Sequence, residues 1–387
     1  MTRQDESTRF SEVVQLLADE GFDGMAQAIE ILVNEAMKLE RAEALGAQPY
    51  ERSPERRGYA NGYKPKRLAT RMGQLDLEIP QTRGVEFYPA SLERGVRSER
   101  ALKLAVAEMY VQGVSTRKVA EVTRELCGLD VSSSQVSRAA ALLDGELETW
   151  RNRPLGQTPY LLLDARYEKV RHGGQVVDAA LLLAIGVTPE GKRTLLGVSV
   201  SLSEAEVHWR EFLQSLVDRG LHGIEMITSD DHAGLKAARK AVLPAVPWQR
   251  CQFHLQQNAS AYVPKQSMKA GVAEDLRSVF NAPDRAEAER LLKFVIDKHR
   301  TSAPKLAEWM EQSVPEGLTV FALPTQHRRR LRTNNAVERL NEEIARRTRV
   351  ARIFPNEASL LRLASAILAE VDEEWQTEKR YLNMETD

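Results

Sequence analysis

The chain has 387 residues, 42% of them apolar, enough for two or three domains with a sizeable core. Lys+Arg and Asp+Glu nearly cancel to a net charge of −1, so overall charge argues for no polyanionic partner and only local charge can. Two distant cysteines, Cys127 and Cys251, exclude a disulfide framework; the first residues lack a signal peptide's apolar core and no apolar run is long enough to span a membrane, so a cytoplasmic protein is expected.

Residues 11–45 carry Val13, Leu16, Leu17, Ile29, Leu32, Val33 and Met37 at helical spacing. Eight acidic and two basic side chains in this stretch predict a solvated acidic face, and the packed face is a candidate dimer contact. The charge then reverses: residues 52–83 hold eight basic and three acidic side chains. Arg56, Arg57, Lys64, Lys66 and Arg67, interleaved with Tyr59 and Tyr63, predict a basic arm that grips phosphates, although a solvated loop has the same composition. "QLDLEIPQTR" (74–83) alternates like a short strand.

Residues 101–148 read as three helices. Gly113 closes the first, Ser115 caps the second and Gly128 ends it, and Ser132 with Gln135 three residues on forms a capping box for the third. Val136, Ala140, Leu143 and Leu147 would be the third helix's buried stripe, leaving Gln135 and Arg138 exposed. This is helix-turn-helix spacing, with exposed side chains of the kind that read major-groove edges; an ordinary three-helix bundle is the plainer alternative.

From residue 159 the pattern changes. "PYLLLDA", "VVDAALLLAIGVT" and "KRTLLGVSV" predict three antiparallel strands joined by "RHGG" and "PEGK". A helix over 204–219, a strand "GIEMITSDD", a helix "HAGLKAARKAVL" and a strand "VPWQRCQFH" follow. The order βββαβαβ is that of a ribonuclease-H-like fold, in which the first and fourth strands lie side by side and parallel. Residues 255–325 carry helical patterns only, and two more helices end the chain. The expected fold class is multidomain α+β: an N-terminal all-α helix-turn-helix region, then a ribonuclease-H-like α/β core with a mixed five-stranded sheet, interrupted by an all-α insertion. The domains are 1–50 (acidic helices), 51–150 (basic arm and helix-turn-helix), 155–254 (core, first part), 255–325 (insertion) and 326–387 (core, second part).

Asp164 ends the first strand of this run and Asp230 the fourth, so adjacent strands would bring both carboxylates to one sheet edge. Two unpaired anions there repel, which raises at least one pKa. Mg²⁺ takes oxygen ligands of this kind, and two ions roughly 3.5–4 Å apart suit phosphoryl transfer. The late charged helix offers Glu338, Glu342 and Glu343 as a third carboxylate; Val337, Leu340 and Ile344 form its buried stripe, and periodicity does not choose between Glu338 and Glu342. Each element also has an ordinary reading: Asp164 as a satisfied strand-end carboxylate, Asp230 as a helix N-cap, Glu342 and Arg346 as an i,i+4 pair. Cys251 and His254 stand three apart, but zinc would need two further soft ligands. No phosphate-binding GxxxxGK[ST] loop or dinucleotide fingerprint occurs, so no nucleotide cofactor is expected.

Four stretches, "LLLDARYEKVR" (161–171), "TSDDHAGL" (228–235), "WQRCQFHLQQN" (248–258) and "RTNNAVERLNEEIARRTRVARIFPN" (332–356), resemble mutator-type transposases of bacterial insertion sequences, in the DDE recombinase superfamily. The resemblance implies Asp164, Asp230 and Glu338 as catalytic, metal-binding residues, Glu338 lying in an N-N-x-x-E-R-x-N context; Asp231 doubles the acid at the second position. It matches Cys251 and His254 to the family's C-x-x-H element, read as organising the site. It implies two Mg²⁺ ions, with Mn²⁺ as a substitute, and double-stranded DNA as partner: terminal inverted repeats read by the N-terminal region, and target DNA. It also implies a nucleoid-associated homodimer, and favours a copied circle over cut-and-paste. Arg346, Arg347 and Arg349, following the catalytic helix, would track phosphates. A DNA-binding regulator with a non-catalytic core and a plain Mg²⁺-dependent nuclease are the alternatives.

Overall fold

The structure is a computed structural model that describes residues 2–92 and 94–385. The chain divides into two compact units, residues 1–142 and 143–387.

The first unit opens with α1 (Thr2–Glu20) and α2 (Met25–Leu45), followed by an antiparallel hairpin of β1 (Tyr59–Thr70) and β2 (Gly73–Arg83). Leu75 and Leu77 alternate on the inner face of β2 and bury against Met37 of α2. The hairpin corrects two expectations: the N-terminal region is not all-α, and much of the basic arm is strand. β1 gave little apolar alternation because nearly all of it is exposed. Nor is the acidic face of α2 merely solvated. Glu30 and Asn34 accept the β2 backbone N–H groups of Asp76 and Glu78 at 2.8 and 2.9 Å, which satisfies an otherwise open sheet edge.

Three helices complete this unit: α3 (Arg100–Val111), α4 (Thr116–Cys127) and α5 (Ser133–Ala140). Ser115 caps α4, Gly128 closes it in the left-handed region, and Ser132 and Gln135 form the capping box of α5. The third helix is shorter than its periodicity suggested. It gives way to a 3-10 turn over Ala141–Leu143, where the first unit ends, so Leu147 belongs to the next helix, α6 (Asp144–Arg151).

The second unit is built on a mixed five-stranded sheet. Its strands are β3 (Tyr160–His172), β4 (Gln175–Val187), β5 (Arg193–Ser201), β6 (Met226–Ser229) and β7 (Trp248–Arg250), in the order β5-β4-β3-β6-β7. β3 and β4 form a hairpin whose two-residue turn, Gly173 and Gly174, has φ of +55° and +83°, a conformation that favours glycine. β3 pairs with β6 in parallel, the adjacency that the element order predicts. Leu161 and Leu163 point to one sheet face, where α7 (Glu206–Asp218) and α8 (Ala233–Val242) supply Trp209, Phe212, Leu213, Leu216, Leu235 and Ala238.

Tyr160 and Leu162 point to the other face. There they share one buried cluster with α9 (Gln252–Ala259), α10 (Lys269–Phe280), α11 (Arg285–His299) and α12 (Pro304–Ser313), and with α13 (Thr325–Leu331), α14 (Asn335–Ala351) and α15 (Glu357–Thr377). Two boundaries differ from the sequence reading. "CQFH" opens α9 rather than ending a strand, and β3 runs well beyond Asp164. The charged second half of β3 keeps its pairing with β4 after β6 has ended, so a polar sequence continues as strand.

Candidate active site

The last parallel pair between β3 and β6 joins Leu162 to Thr228. Asp164, still on β3, and Asp230, one residue past the end of β6, each lie two residues further along, so both leave the sheet at the same edge. Asp164 is 8% exposed. Its carboxyl is pushed up to about 7, first by burial and then by the charge of Asp230.

α14 reaches this point because its N-terminus is tied to three neighbouring segments. Thr228 on β6 donates its hydroxyl to the Leu331 carbonyl at 2.8 Å. The Gln252 N–H donates to the Arg332 carbonyl at 2.9 Å, and the Asn334 N–H to Cys251 Sγ at 3.4 Å. Asn334 does not use its side chain to cap α14; its amide donates instead to the Leu163 carbonyl at 3.1 Å, next to Asp164. Two turns along, the Asn341 amide donates to Asp164 Oδ2 at 2.7 Å. Val337, Leu340 and Ile344 are fully buried beneath the helix, as predicted.

Glu338 lies one turn before Asn341, and its Oε1 is buried without a hydrogen-bond partner, whereas Glu342 is exposed. Glu343 is held below the usual carboxylate range by its hydrogen bond to Arg346, with Arg347 adding to the effect. Asp231 is also occupied: Lys236 lies 2.8 Å and Arg250 2.9 Å from it, and both cations also pair with Glu316. Asp230 takes no part in that network. Cys251 is fully buried; burial pushes its thiol up, and the charge of Glu338 adds to the shift. His254 follows on the first turn of α9, its Nδ1 buried without a hydrogen-bond partner.

Among the described residues, no three acidic, histidine or cysteine side chains stand close enough together to hold a metal ion. The donors nonetheless fit a hard divalent cation. They are carboxylate oxygens, one is buried and unpartnered, and a second carboxylate is desolvated beside a like charge.

The basic residues fall into separate groups. In the first unit Arg57, Lys64 and Arg67 are exposed, and Arg67 pairs with Asp76 at 3.1 Å. Arg56 lies over the ring of Tyr59, and Lys66 donates to the Tyr88 hydroxyl. Tyr63 is engaged by Arg41 of α2. Gln135 is exposed, but its Oε1 already accepts the Ser132 N–H at 2.7 Å; Arg138 is exposed. In the second unit Arg346 and Arg349 are exposed. Arg347 is turned inward at 6% exposure, with Glu343 at 3.0 Å and Glu370 at 2.6 Å, so it is engaged by acids rather than free at the surface. Helix position alone did not reveal this pairing, because Glu370 lies on α15, distant in sequence.

Sequence reasoning missed Asn334 and Asn341. The available signal was their spacing: Asn334 one turn before Glu338 and Asn341 three residues after it share that residue's helix face.

Residues 1–378 match the family described as "Transposase, Mutator family". The chain is 59% identical over 369 residues to the transposase for insertion sequence element IS406 of Burkholderia multivorans, covering 95% of both chains. It is 43% identical to the transposase for ISRM5 of Rhizobium meliloti, covering all of this chain and 96% of the relative. It is 36% identical to the transposase for IS256 in transposon Tn4001 of Staphylococcus aureus, covering 91% of each. With the match running through both units, the chain belongs to the Mutator family of transposases.

Proposed function

We propose that the protein binds the terminal inverted repeats of an insertion sequence and catalyses metal-dependent cleavage and strand transfer of DNA, with Asp164, Asp230 and Glu338 as the catalytic carboxylates. The observation that carries this reading is the helix laid over the sheet edge. Asp164 on β3 and Asp230 just past the end of β6 each lie two residues beyond the last parallel pair, and Asn341, which holds Asp164, lies one turn from Glu338 on α14. A regulator with an inactive core has no use for buried carboxylates left without cationic partners, since each costs stability. The strand order supports a ribonuclease-H-like core, with the helices between β7 and α14 as its insertion.

Two Mg²⁺ ions, or Mn²⁺ in their place, would activate the attacking oxygen and neutralise the leaving one. The chain's own part is to place the charges. Asn341 fixes one oxygen of Asp164, and Asn334 ties the start of α14 to β3. Cys251 accepts the Asn334 N–H, and with His254 it organises the site from the start of α9. The same carboxylates would serve twice: first for water attacking the phosphodiester at the element's end, then for the released 3′-OH attacking target DNA. Neither step needs a covalent protein–DNA intermediate.

In the first unit, α4, the turn over 128–132 and α5 support a helix-turn-helix that reads the ends, with Arg138 on the exposed side. Arg56, Arg57, Lys64, Lys66 and Arg67 of the hairpin region would contact phosphate. Bringing two ends together implies at least a homodimer.

The test is incubation of the full-length protein with labelled end DNA and Mg²⁺, scoring nicking and joining. Joining of the 3′-OH end to target DNA is the expected result. Nicking without joining would make the protein a nuclease, and end binding without nicking would make it a regulator.

A further inference from the structure

We propose that a cleft in the first unit, walled by Tyr50, Arg56 and Tyr59, takes an unpaired nucleobase of the DNA that the protein acts on. The inference rests on the DNA-binding reading above and deepens it, adding a base-stacking site to a region otherwise read as gripping phosphate.

The cleft is built by the loop that joins α2 to β1. Its two ends meet: the Arg57 N–H donates to the Leu45 carbonyl at 2.8 Å. Gly46, at φ +66°, passes so close to the returning chain that a Cβ there would lie 2.5 Å from the Glu55 carbonyl oxygen. Inside the loop, the Glu51 N–H donates to the Gln48 carbonyl at 3.1 Å and the Gln48 N–H to Glu51 Oε2 at 2.8 Å. Arg56 then braces the whole turn from below, its Nη2 donating to the carbonyls of Gln48 and Glu51. The result is a closed surface loop fixed by its own hydrogen bonds, a form that often carries function.

Tyr50 sits at the tip of this brace and is fully exposed, with no hydrogen bond or ring contact among the described residues. Its φ is +62°, a left-handed conformation that glycine takes freely and that a bulky side chain adopts only under constraint. The fold therefore holds an aromatic ring in solvent, in a strained backbone position, with no packing to compensate it. A surface ring kept in this way calls for a partner from outside.

The surroundings say which partner. Tyr50, Arg52, Pro54, Arg56 and Tyr59 line one open cleft of about 610 Å³, within the size range of small-ligand pockets. Tyr59 is 66% exposed, and the Arg56 guanidinium lies over its ring, 5.7 Å from the centroid. Two aromatic rings and a planar guanidinium around one opening are the groups on which bases stack, and every base has a face to offer them. The carboxylate of Glu51 also lines the cleft, which disfavours a phosphate inside it and leaves an uncharged ring as the better occupant. The phosphates on either side of that base fall to Arg52 and Arg57, both exposed.

The test uses full-length wild type, Tyr50→Gly, Tyr50→Phe and Tyr59→Ala, with Phe294→Ala, which removes an exposed ring in the second unit, as control. Each is titrated with blunt end duplex and with the same duplex carrying a short single-stranded overhang that contains 2-aminopurine, whose emission is quenched by stacking; melting is measured in parallel. Wild type should bind the overhang duplex more tightly than the blunt one and quench the analogue. Tyr50→Gly and Tyr59→Ala should bind blunt duplex like wild type but lose roughly 5- to 100-fold in affinity for the overhang duplex, together with the quench. Tyr50→Phe, which keeps the ring, and Phe294→Ala should match wild type. Because Tyr50→Gly relieves the strained backbone, it should melt close to wild type, and Tyr59→Ala decides the matter if it does not fold. A wild-type protein that binds both duplexes equally, or a Tyr50→Gly and Tyr59→Ala that keep the preference and the quench, would overturn the inference while leaving DNA binding by this unit intact. Equal losses on both duplexes would also overturn it, making the rings ordinary duplex contacts. A wild type that binds neither duplex would overturn the DNA-binding reading, and this inference with it.

Discussion

Asn341 and Asp164 are joined across 177 residues of sequence by one hydrogen bond, amide to carboxylate Oδ2, at 2.7 Å. The bond links the helix that carries Glu338 to the strand that carries Asp164, and it stabilises the charged form of a carboxylate that burial and Asp230 otherwise oppose. Removing it should disturb the site more than the fold. Asn341→Ala is expected to bind end DNA like wild type but to nick it roughly 10–100-fold more slowly, the usual cost of losing an outer-shell partner. Nicking time courses at saturating DNA check this. A wild-type rate would mean that Asp164 is positioned without Asn341.

Replacing Asp164 should have an unusual effect on stability. A carboxyl whose folded pKa lies above its unfolded value costs stability once ionised. That cost is fully present above about 7 and absent below the ordinary carboxylate range near 3.8. In EDTA at pH 8, Asp164→Asn is therefore expected to melt roughly 2–4 °C above wild type. The difference should shrink as the pH is lowered towards 4. Melting curves across pH test the sign, and a lower melting temperature at pH 8 would contradict it. Nicking should be lost in the same variant.

The two cysteines should differ in reactivity. Cys251 is fully buried with a raised thiol pKa, whereas Cys127 is partly exposed at the end of α4. Native protein should react with one equivalent of a disulfide reagent, and the second should appear only on unfolding. Rapid native reaction of both thiols would mean that the start of α9 opens readily.

How much was legible in the sequence depends on how local each signal is. The caps at Ser115, Gly128 and Ser132 were readable because each depends on neighbours within four residues. The β3–β6 adjacency followed from element order, and with it the meeting of Asp164 and Asp230. The β1 strand was hidden because its partners are a neighbouring strand and solvent, so its sequence shows charge instead of alternation. The choice between Asp230 and Asp231 was hidden too, since Arg250 and Glu316, which occupy Asp231, are distant in sequence.

Gln135 and Arg138 should separate a structural role from a reading role. Gln135 Oε1 is committed to the capping box, so Gln135→Ala should lower stability by roughly 0.3–1.5 kcal/mol and affect end binding mainly through the frayed helix. Arg138→Ala should leave melting unchanged and lower the ratio of end to scrambled-duplex affinity, with about 1–3 kcal/mol lost on the true end. Equal loss on both duplexes would reassign Arg138 to phosphate.

The arginines after Glu338 provide the sharpest division of labour. Arg347 is 6% exposed and pairs with Glu343 and Glu370, so truncating it removes a buried guanidinium from both acids, of which Glu343 keeps Arg346. The acids are partly exposed, so water screens the loss, but the buried guanidinium also packs; Arg347→Ala should melt measurably lower than wild type. Arg346 and Arg349 are exposed, and a surface pair such as Arg346 with Glu343 adds little to stability. Arg346→Ala with Arg349→Ala should therefore melt close to wild type. If these two side chains contact phosphate, the double variant should bind every duplex more weakly, and the slope of log affinity against log salt should flatten by roughly 0.9 per lost contact. Arg347→Ala, measured below its melting transition, should keep the wild-type slope. Melting curves and binding titrations at several salt concentrations on the same three proteins decide the matter. An unchanged slope in the double variant would remove this helix from the DNA path, and a flattened slope in Arg347→Ala would mean that its guanidinium leaves Glu370 when DNA arrives.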